Sequence, residues 1–419
     1  MHESLKVYLK NRFVGWLSHE STGDVFSFKY DDAYLADPSD GALSFALPLG
    51  NETFDSVRTY RFFANLLPPQ VVRQRLGASL HLSRNNVFGF LKAIGGDCAG
   101  AVSLYPAWMK PTPQDVENIR ELSEDEAVEI LRSLKRRPLY AAGEKGYRYS
   151  GAGAQDKLIA RIRDGHVILP LYGTPSTHII KPSADGFEDS VQNEYFCQRL
   201  AAEIGLSAAR ADILVLKGGF YYSAERYDRE IVDGKPRRLH QEDFCQLLSV
   251  DPETKYESDG GPSIPQCMEV ARKMRLSPVS QLALMDSVLF NYIIGNADAH
   301  AKNHSVVYHG RKADFAPLYD LVSTSVYPEL STEMAMRIGD DAAFASISRD
   351  SFSRMARDCS VSPKLVLGRL DDMAMRIVPA ASRLADDCNA RYPSQVYSRI
   401  LSVIKSHIAA ILSNERKRP

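Results

Sequence analysis

The run NADAHAKNHS, positions 296–305, delivers Asp298, His300, Lys302 and Asn303 within six residues, directly behind the apolar segment MDSVLFNYIIG. Asp298 and Asn303 stand in the spacing D-x-x-x-x-N. A carboxylate at the first position can accept the proton of a hydroxyl. An amide oxygen one short loop further on can hold a magnesium ion beside a phosphate. A second oxygen ligand for that metal is expected past a hairpin, and SVVYHGRKADFAPLYDL is such a hairpin, ending in Tyr319-Asp320. Taken alone, clustered Asp, His and Asn residues suit ordinary Asx-turns and helix caps equally well.

Chemistry of this kind needs a rigid support, because positioning supplies much of the rate. LALMDSVLFNYIIG reads as that support, a helix with Leu282, Met285, Leu289, Tyr292 and Ile293 on one face. Far upstream, YSGAGAQDK (149–157) gathers glycines and alanines that let a backbone approach phosphates closely. It precedes a strand and lacks the Walker GK[ST] ending. Lys181 closes the short strand THIIKP and could reach α- and β-phosphates, although strand-end lysines are commonly just exposed. Glu194 lies on the next helix, where a protein kinase places the partner of that lysine. Glu225-Arg226-Tyr227 ends a later hairpin, where a hinge would hold adenine; Tyr227 equally suits a packed core position. The D-x-x-x-x-N spacing is that of the protein-kinase catalytic loop. Asp320 takes the place of the DFG aspartate, with no Phe-Gly after it.

The elements around these residues follow a clear order. LKVYL and FVGWLS flank KNR as a hairpin, and VFSFKY is a third strand. RTYRFFANLLPPQVVRQRLGA is helical and broken at Pro68-Pro69. Residues 106–125 carry several prolines and many charges and read as a linker. Ser123 and Glu126 form a capping box at the start of a helix. DKLIARIRDGHVILP is two strands around Asp164-Gly165. DSVQNEYFCQRLAAEIGL is a helix stopped by Gly205, and ADILVLKGGFYYSAERYD a hairpin turning at Gly218-Gly219. Arg237 and Arg238 decorate a turn. Beyond about 240 the apolar residues recur at helical spacing.

The expected fold is α+β: a protein-kinase-like two-lobed fold, with a small β-rich lobe, a larger helical lobe and an added N-terminal α/β subdomain. The divisions are an N-terminal subdomain (1–110), a linker and lead-in helix (111–135), an N-lobe with the Gly-rich loop (136–245) and a helical C-lobe (246–419). The 419 residues include 51 Lys+Arg and 52 Asp+Glu, a net charge of −1, so no global field favours nucleic acid or membrane. No apolar run reaches the length of a membrane span. The six scattered cysteines read as reduced, buried thiols, and the chain as cytoplasmic. Positions 391–419 hold six Lys/Arg against one Glu, which suits a solvated helix end or a DNA contact.

Taken together, the motifs resemble the HipA-type serine/threonine kinases, the toxins of bacterial type II toxin–antitoxin pairs. RFFANLLP resembles the family's N-subdomain signature, SGAGAQDK its Gly-rich loop and HIIKP its nucleotide lysine. QNEYFCQRLA resembles the following helix, ERYDR the hinge, QEDFCQ and KYESDGGP the inter-lobe segments, and NADAHAKN the catalytic loop. The resemblance implies Asp298 as catalytic base and Asn303 and Asp320 as Mg²⁺ ligands. It implies ATP contacts at Ala152, Gly153, Ala154, Gln155, Asp156, Lys157, Lys181, Glu225, Arg226, Tyr227, His300, Lys302 and Tyr319. Glu194 would form a structural ion pair. Ser150 would be autophosphorylated as an off-switch. Gly151 departs from the family pattern, which usually has an aliphatic residue there. The implied partners are a HipB-like helix-turn-helix antitoxin, DNA mainly through that antitoxin, and a protein substrate of the translation machinery such as an aminoacyl-tRNA synthetase. A small-molecule phosphotransferase shares D-x-x-x-x-N, and a non-catalytic corepressor acting in an antitoxin–DNA complex is a further alternative.

Overall fold

A computed structural model describes residues 2–113 and 116–413. The basic end of the chain, 415–419, lies outside the described residues. Two compact units are present: residues 1–182, 214–253 and 306–313 form the first, and 183–213, 254–305 and 314–419 the second.

The first unit begins with the strands His2–Leu9, Arg12–Glu20 and Val25–Tyr30. Lys10 and Asn11 turn the first hairpin with φ of 49° and 67°, as a two-residue turn of this hand requires. Val102–Pro106 completes a four-stranded sheet against His2–Leu9. The helices Ser56–Ala64 and Gln70–Leu80 are separated at Pro68-Pro69, with Pro69 as N-cap of the second. A six-stranded sheet follows, in the order Ile119–Glu121, His166–Pro170, Leu158–Arg163, His178–Lys181, Gly219–Glu225, Ala211–Leu216. The proline-rich linker is therefore interrupted by a true edge strand, paired with Ile168–Pro170. The second hairpin turns at Lys217-Gly218 (φ 47° and 73°) rather than Gly218-Gly219. One buried core runs from Leu5 through Phe28, Phe63 and Leu91 to Leu158, Ile180 and Tyr221, so both sheets of this unit share it.

A buried ionic cluster lies in the same unit. Asp97, fully buried, accepts from Arg229 Nη2 (2.7 Å), Arg238 Nε (2.9 Å) and Ser176 Oγ (3.0 Å). Asp228 accepts from Arg226 (2.7 Å) and from Gly100 N. Arg238 is thus no turn decoration. Its strand, Lys235–Arg238, pairs with Arg229–Val232. Burial alone would raise the Asp97 carboxyl, but Arg229, Arg238 and Arg226 hold it well below the usual carboxylate range.

In the second unit the helix Ser190–Glu203 is followed by Gly205 at φ 82°. The helix Pro278–Ile294 is buried on every side from Leu284 onward, while Leu282 is only partly covered. The single apolar face expected for it is therefore too narrow a description. The long helices Pro363–Arg391 and Val396–Ser413 pack on it. One hairpin, Glu333–Ile338 with Asp341–Ala343, interrupts the helical region. All six cysteines are buried, and none forms a disulfide. Among the described residues no helix is long and apolar enough to cross a membrane.

Candidate active site

The helix Pro278–Ile294 ends at Gly295, whose φ of 71° reverses the chain. The loop that follows is pinned from several directions. Thr324 Oγ1 accepts from Ala297 N (2.7 Å) and donates to the Gly295 carbonyl (3.0 Å). Ala335 N bonds the Ala297 carbonyl (2.9 Å). Asn296 Oδ1 accepts from Asp298 N (3.1 Å), and Asn303 Nδ2 donates to the Asp298 carbonyl (3.0 Å). The backbone of Asp298 is therefore fixed at both ends.

The Asp298 side chain is 51% exposed. Desolvation raises its pKa and Asp320 adds repulsion, while Lys255 and the Tyr256 hydroxyl oppose both. His300 is buried and its imidazole is held neutral, by desolvation first and then by the charges of Lys255 and Lys302. Its Nε2 lies 2.7 Å from Lys255 Nζ, so the lysine donates and the ring accepts. Tyr319 does not stand free as a nucleotide ligand. Its hydroxyl donates to the Lys302 carbonyl (2.7 Å) and meets Ser305 Oγ (2.7 Å), which latches the loop to the segment carrying Asp320. Asp320 has φ 53°, a left-handed conformation that Asp tolerates better than most residues. Lys255 and Tyr256 belong to KYESDGGP, a segment whose sequence alone carries no site role. A signal is nevertheless present in it: a cation and a phenol in a glycine-bounded polar loop.

In the first unit the loop 150–157 leads into the strand Leu158–Arg163. The register Leu158↔Ile180 sets Lys157 beside Lys181 at one end of the sheet. Lys157 Nζ donates to the Ala152 carbonyl (2.8 Å), folding the loop onto its own lysine. Gly153 has φ +100°, a conformation that side chains disfavour. A Cβ at Gly151 would meet Leu139 Cδ2 at 2.7 Å, so a larger residue there would require the leucine side chain to shift. Asp156 pairs with Arg75 (2.9 Å), and Gln155 reaches the Pro182 carbonyl (3.4 Å). Lys181 is not an exposed strand-end residue. It is 6% exposed, with its ammonium 5.4 Å from the centre of the Tyr222 ring.

Glu225 lies opposite His178, three residues along from Lys181, roughly 10 Å at the rise of a strand. Glu225 is exposed and Tyr227 half-buried, with its hydroxyl on Gln241. The Arg226 guanidinium bonds Asp228, Ser176 and the Cys98 carbonyl. Ser150 is buried too. Its amide bonds the Asp97 carbonyl (3.1 Å), and its hydroxyl lies beside the Cys98 thiol without an oxygen or nitrogen partner. Glu194 is buried in the helix Ser190–Glu203 of the second unit.

An aspartate, an amide and a second aspartate around a pinned loop are the means of an ATP-dependent phosphotransferase of protein-kinase type. Comparison with known proteins narrows that class. Residues 5–105 match the HipA N-terminal domain and 149–381 the HipA-like C-terminal domain. The Y4mE protein of Sinorhizobium fredii, provisionally named a kinase, is 39% identical, with 93% of each chain covered. The serine/threonine-protein kinase toxin HipA of Shewanella oneidensis is 30% identical over 91% of this chain and 89% of its own. A chain in the solved complex of HipA, HipB and operator DNA from Shewanella oneidensis superposes with a TM-score of 0.84 at 27% identity, covering 98% of this chain and 97% of that one. The chain belongs to the HipA family of serine/threonine protein kinases.

Proposed function

We propose that this kinase is the growth-arresting toxin of a toxin–antitoxin pair and phosphorylates a protein of the translation machinery, such as an aminoacyl-tRNA synthetase. Its antitoxin is a HipB-like helix-turn-helix protein, and DNA is met mainly through that partner, in keeping with the net charge of −1. Asp298 accepts the acceptor-hydroxyl proton. The observation that carries this reading is the grouping of Asp298, His300, Asn303 and Asp320 on one pinned loop and its latch.

Two oxygen donors and a repelling carboxylate pair suit Mg²⁺, which commonly takes one or two protein ligands and completes its shell with phosphates and water. Asn303 and Asp320 would hold it, and its chemistry there is to neutralise charge on the transferred phosphoryl group. In the first unit, residues 152–157 and Lys181 hold phosphates, and Glu225 and Tyr227 lie at the adenine. Arg226 serves that end through structure alone. Glu194 forms a structural ion pair from the helix Ser190–Glu203. The functional divisions are those at 1–110, 111–135, 136–245 and 246–419.

Because Lys181 is buried, its replacement should keep the stem. Lys181→Met is expected to weaken Mg·ATP binding by at least about tenfold, the scale of removing one charge-assisted hydrogen bond. Calorimetric titration of the folded variant checks it; unchanged affinity leaves Lys181 a packing residue.

Ser150 acts as the off-switch. A buried hydroxyl must leave its place before it can be phosphorylated, and the phosphate's charge of roughly −1.5 to −2 then prevents its return. Arg148, two residues away and itself largely buried, is a cation that the phosphate could draw to it. Its guanidinium bonds only carbonyls (Ala93, Lys92 and Leu104), and its Nη1 bonds none. Intact-mass spectrometry after incubation with Mg·ATP should show one added phosphate, absent in Ser150→Ala and in Asp298→Asn. The phosphorylated fraction should bind ATP more weakly. Equal binding would mean that the modification does not switch the enzyme.

A further inference from the structure

We propose that Tyr256 is a positioning residue for phosphoryl transfer: its hydroxyl holds one oxygen of the Asp298 carboxylate and so aims the other at the acceptor hydroxyl. The inference rests on Asp298 being the base. It begins from what is left undetermined at that residue. The Asp298 backbone is fixed through Asn296 and Asn303, but the last torsion of an aspartate is broad and its two oxygens are equivalent. The side chain is half-exposed, so packing does not set that torsion. A single well-placed donor does. Tyr256 Oη donates to Asp298 Oδ1 at 2.6 Å, across 42 residues of sequence. A phenol is a neutral donor at any pH where a kinase works, so the hydrogen bond adds orientation without adding a cation beside the metal site.

Tyr256 is itself held in place. Its ring stands edge-on to His300, with centroids 5.4 Å apart and planes at 77°. Lys255 Nζ lies 4.9 Å from the Tyr256 ring centre while bonding His300 Nε2, so lysine, tyrosine and histidine lock one another. The Tyr256 carbonyl accepts from Asp259 N (3.0 Å) and Gly261 N (2.8 Å), which closes the turn Glu257–Asp259. Gly260 leaves that turn at φ +87°. A Cβ at Gly261 would meet the Thr254 and Tyr256 carbonyl oxygens at 2.5 and 2.6 Å. Glu257 accepts from Arg337 N (2.7 Å) and ties the turn to the strand Glu333–Ile338, and Ser263 caps the next helix at once. KYESDGGP is therefore a compact bracket. Its glycines permit the fold, and its Lys-Tyr pair is what it presents to the catalytic loop.

A base must sit within about 2.6–3.2 Å of the hydroxyl it serves, and small misplacements are costly. The test is Tyr256→Phe in the full chain, which keeps the ring against His300 and Lys255. ADP formation is followed with Mg·ATP and casein as a generic acceptor, beside Asp298→Ala and the double variant. The expected result is a fall of about tenfold to a hundredfold in the rate at saturating ATP. ATP affinity, the KM for casein and the melting temperature should stay unchanged. In the Asp298→Ala background, Tyr256→Phe should cost nothing more, because both changes remove one function. A wild-type rate for Tyr256→Phe while Asp298→Ala is inactive overturns the proposal and spares the base. A faster rate, or a lower KM for casein, overturns it as well and makes Tyr256 an occupant of the acceptor's place. An active Asp298→Ala removes the base itself, and this inference with it.

Discussion

Asp298→Asn is expected to lower phosphoryl transfer by a factor of at least about 10², the usual contribution of a positioned general base. The substitution keeps the size of the side chain and an oxygen that can still accept from Tyr256. The Asn296 and Asn303 bonds to its backbone are unaffected. What it removes is the ability to take a proton, together with the negative charge that faces Asp320. Removing one of two repelling carboxylates should leave the melting temperature unchanged or slightly higher, a sign that the native pair is kept at some cost in stability. ATP affinity should survive, since Lys157 and Lys181 are untouched. The measurement is transfer of label from γ-labelled ATP by the purified variant, with calorimetry on the same sample. Retained transfer with intact ATP binding would place the base elsewhere. Loss of both would mean that Asp298 is needed for the nucleotide rather than for the acceptor.

The candidate loop is legible in the sequence because its signal is local. Asp298, Asn303 and Asp320 lie within 23 positions, and the hairpin Ser305–His309 with Lys312–Phe315 between them has clear alternation and a turn glycine. The same holds for the capping box at Ser123 and the break at Pro68-Pro69. What stays hidden is nonlocal or runs against a residue's usual habit. Tyr256 meets Asp298 across 42 positions, and no periodicity joins a polar loop to a distant carboxylate. Arg238 reads as surface because arginines usually are; its partner Asp97 is 141 positions away. Lys181 resembles an exposed strand end for the same reason, and its burial beside the Tyr222 ring shows otherwise. The strand Ile119–Glu121 hides among prolines because three residues are too few to alternate, and it is a strand only through its pairing with Ile168–Pro170. Ser150 matches a motif, but nothing in its neighbours announces that its hydroxyl is buried.

Asp97→Ala is expected to cost the first unit about 3–5 kcal/mol, the range for removing one partner from a buried ionic group. Asp97 and Asp228 balance Arg226, Arg229 and Arg238, five groups buried together with one cation in excess. Without Asp97 that excess doubles, and Arg238 Nε and Arg229 Nη2 are left without their carboxylate. Both tryptophans, Trp16 and Trp108, lie in this unit, so fluorescence during urea unfolding reports on it directly. A lower midpoint with an unchanged slope is the expected outcome. The contribution also carries a pH signature. A carboxyl whose folded pKa is depressed stabilises above its unfolded value of 3.8, and that stability is lost as the pH falls below it. The wild-type midpoint should therefore drop more steeply than that of Asp97→Ala as the pH is lowered below about 4, and the two should converge. The effect should reach the Gly-rich loop as well. Asp97 bridges Tyr149 through its backbone, and its carbonyl holds the Ser150 amide. A variant that loosens this anchor should release Ser150 more often and become autophosphorylated faster per folded molecule. A fall of less than about 1 kcal/mol, or parallel pH curves, would mean that the arginines find other partners and that the cluster does not hold this unit together.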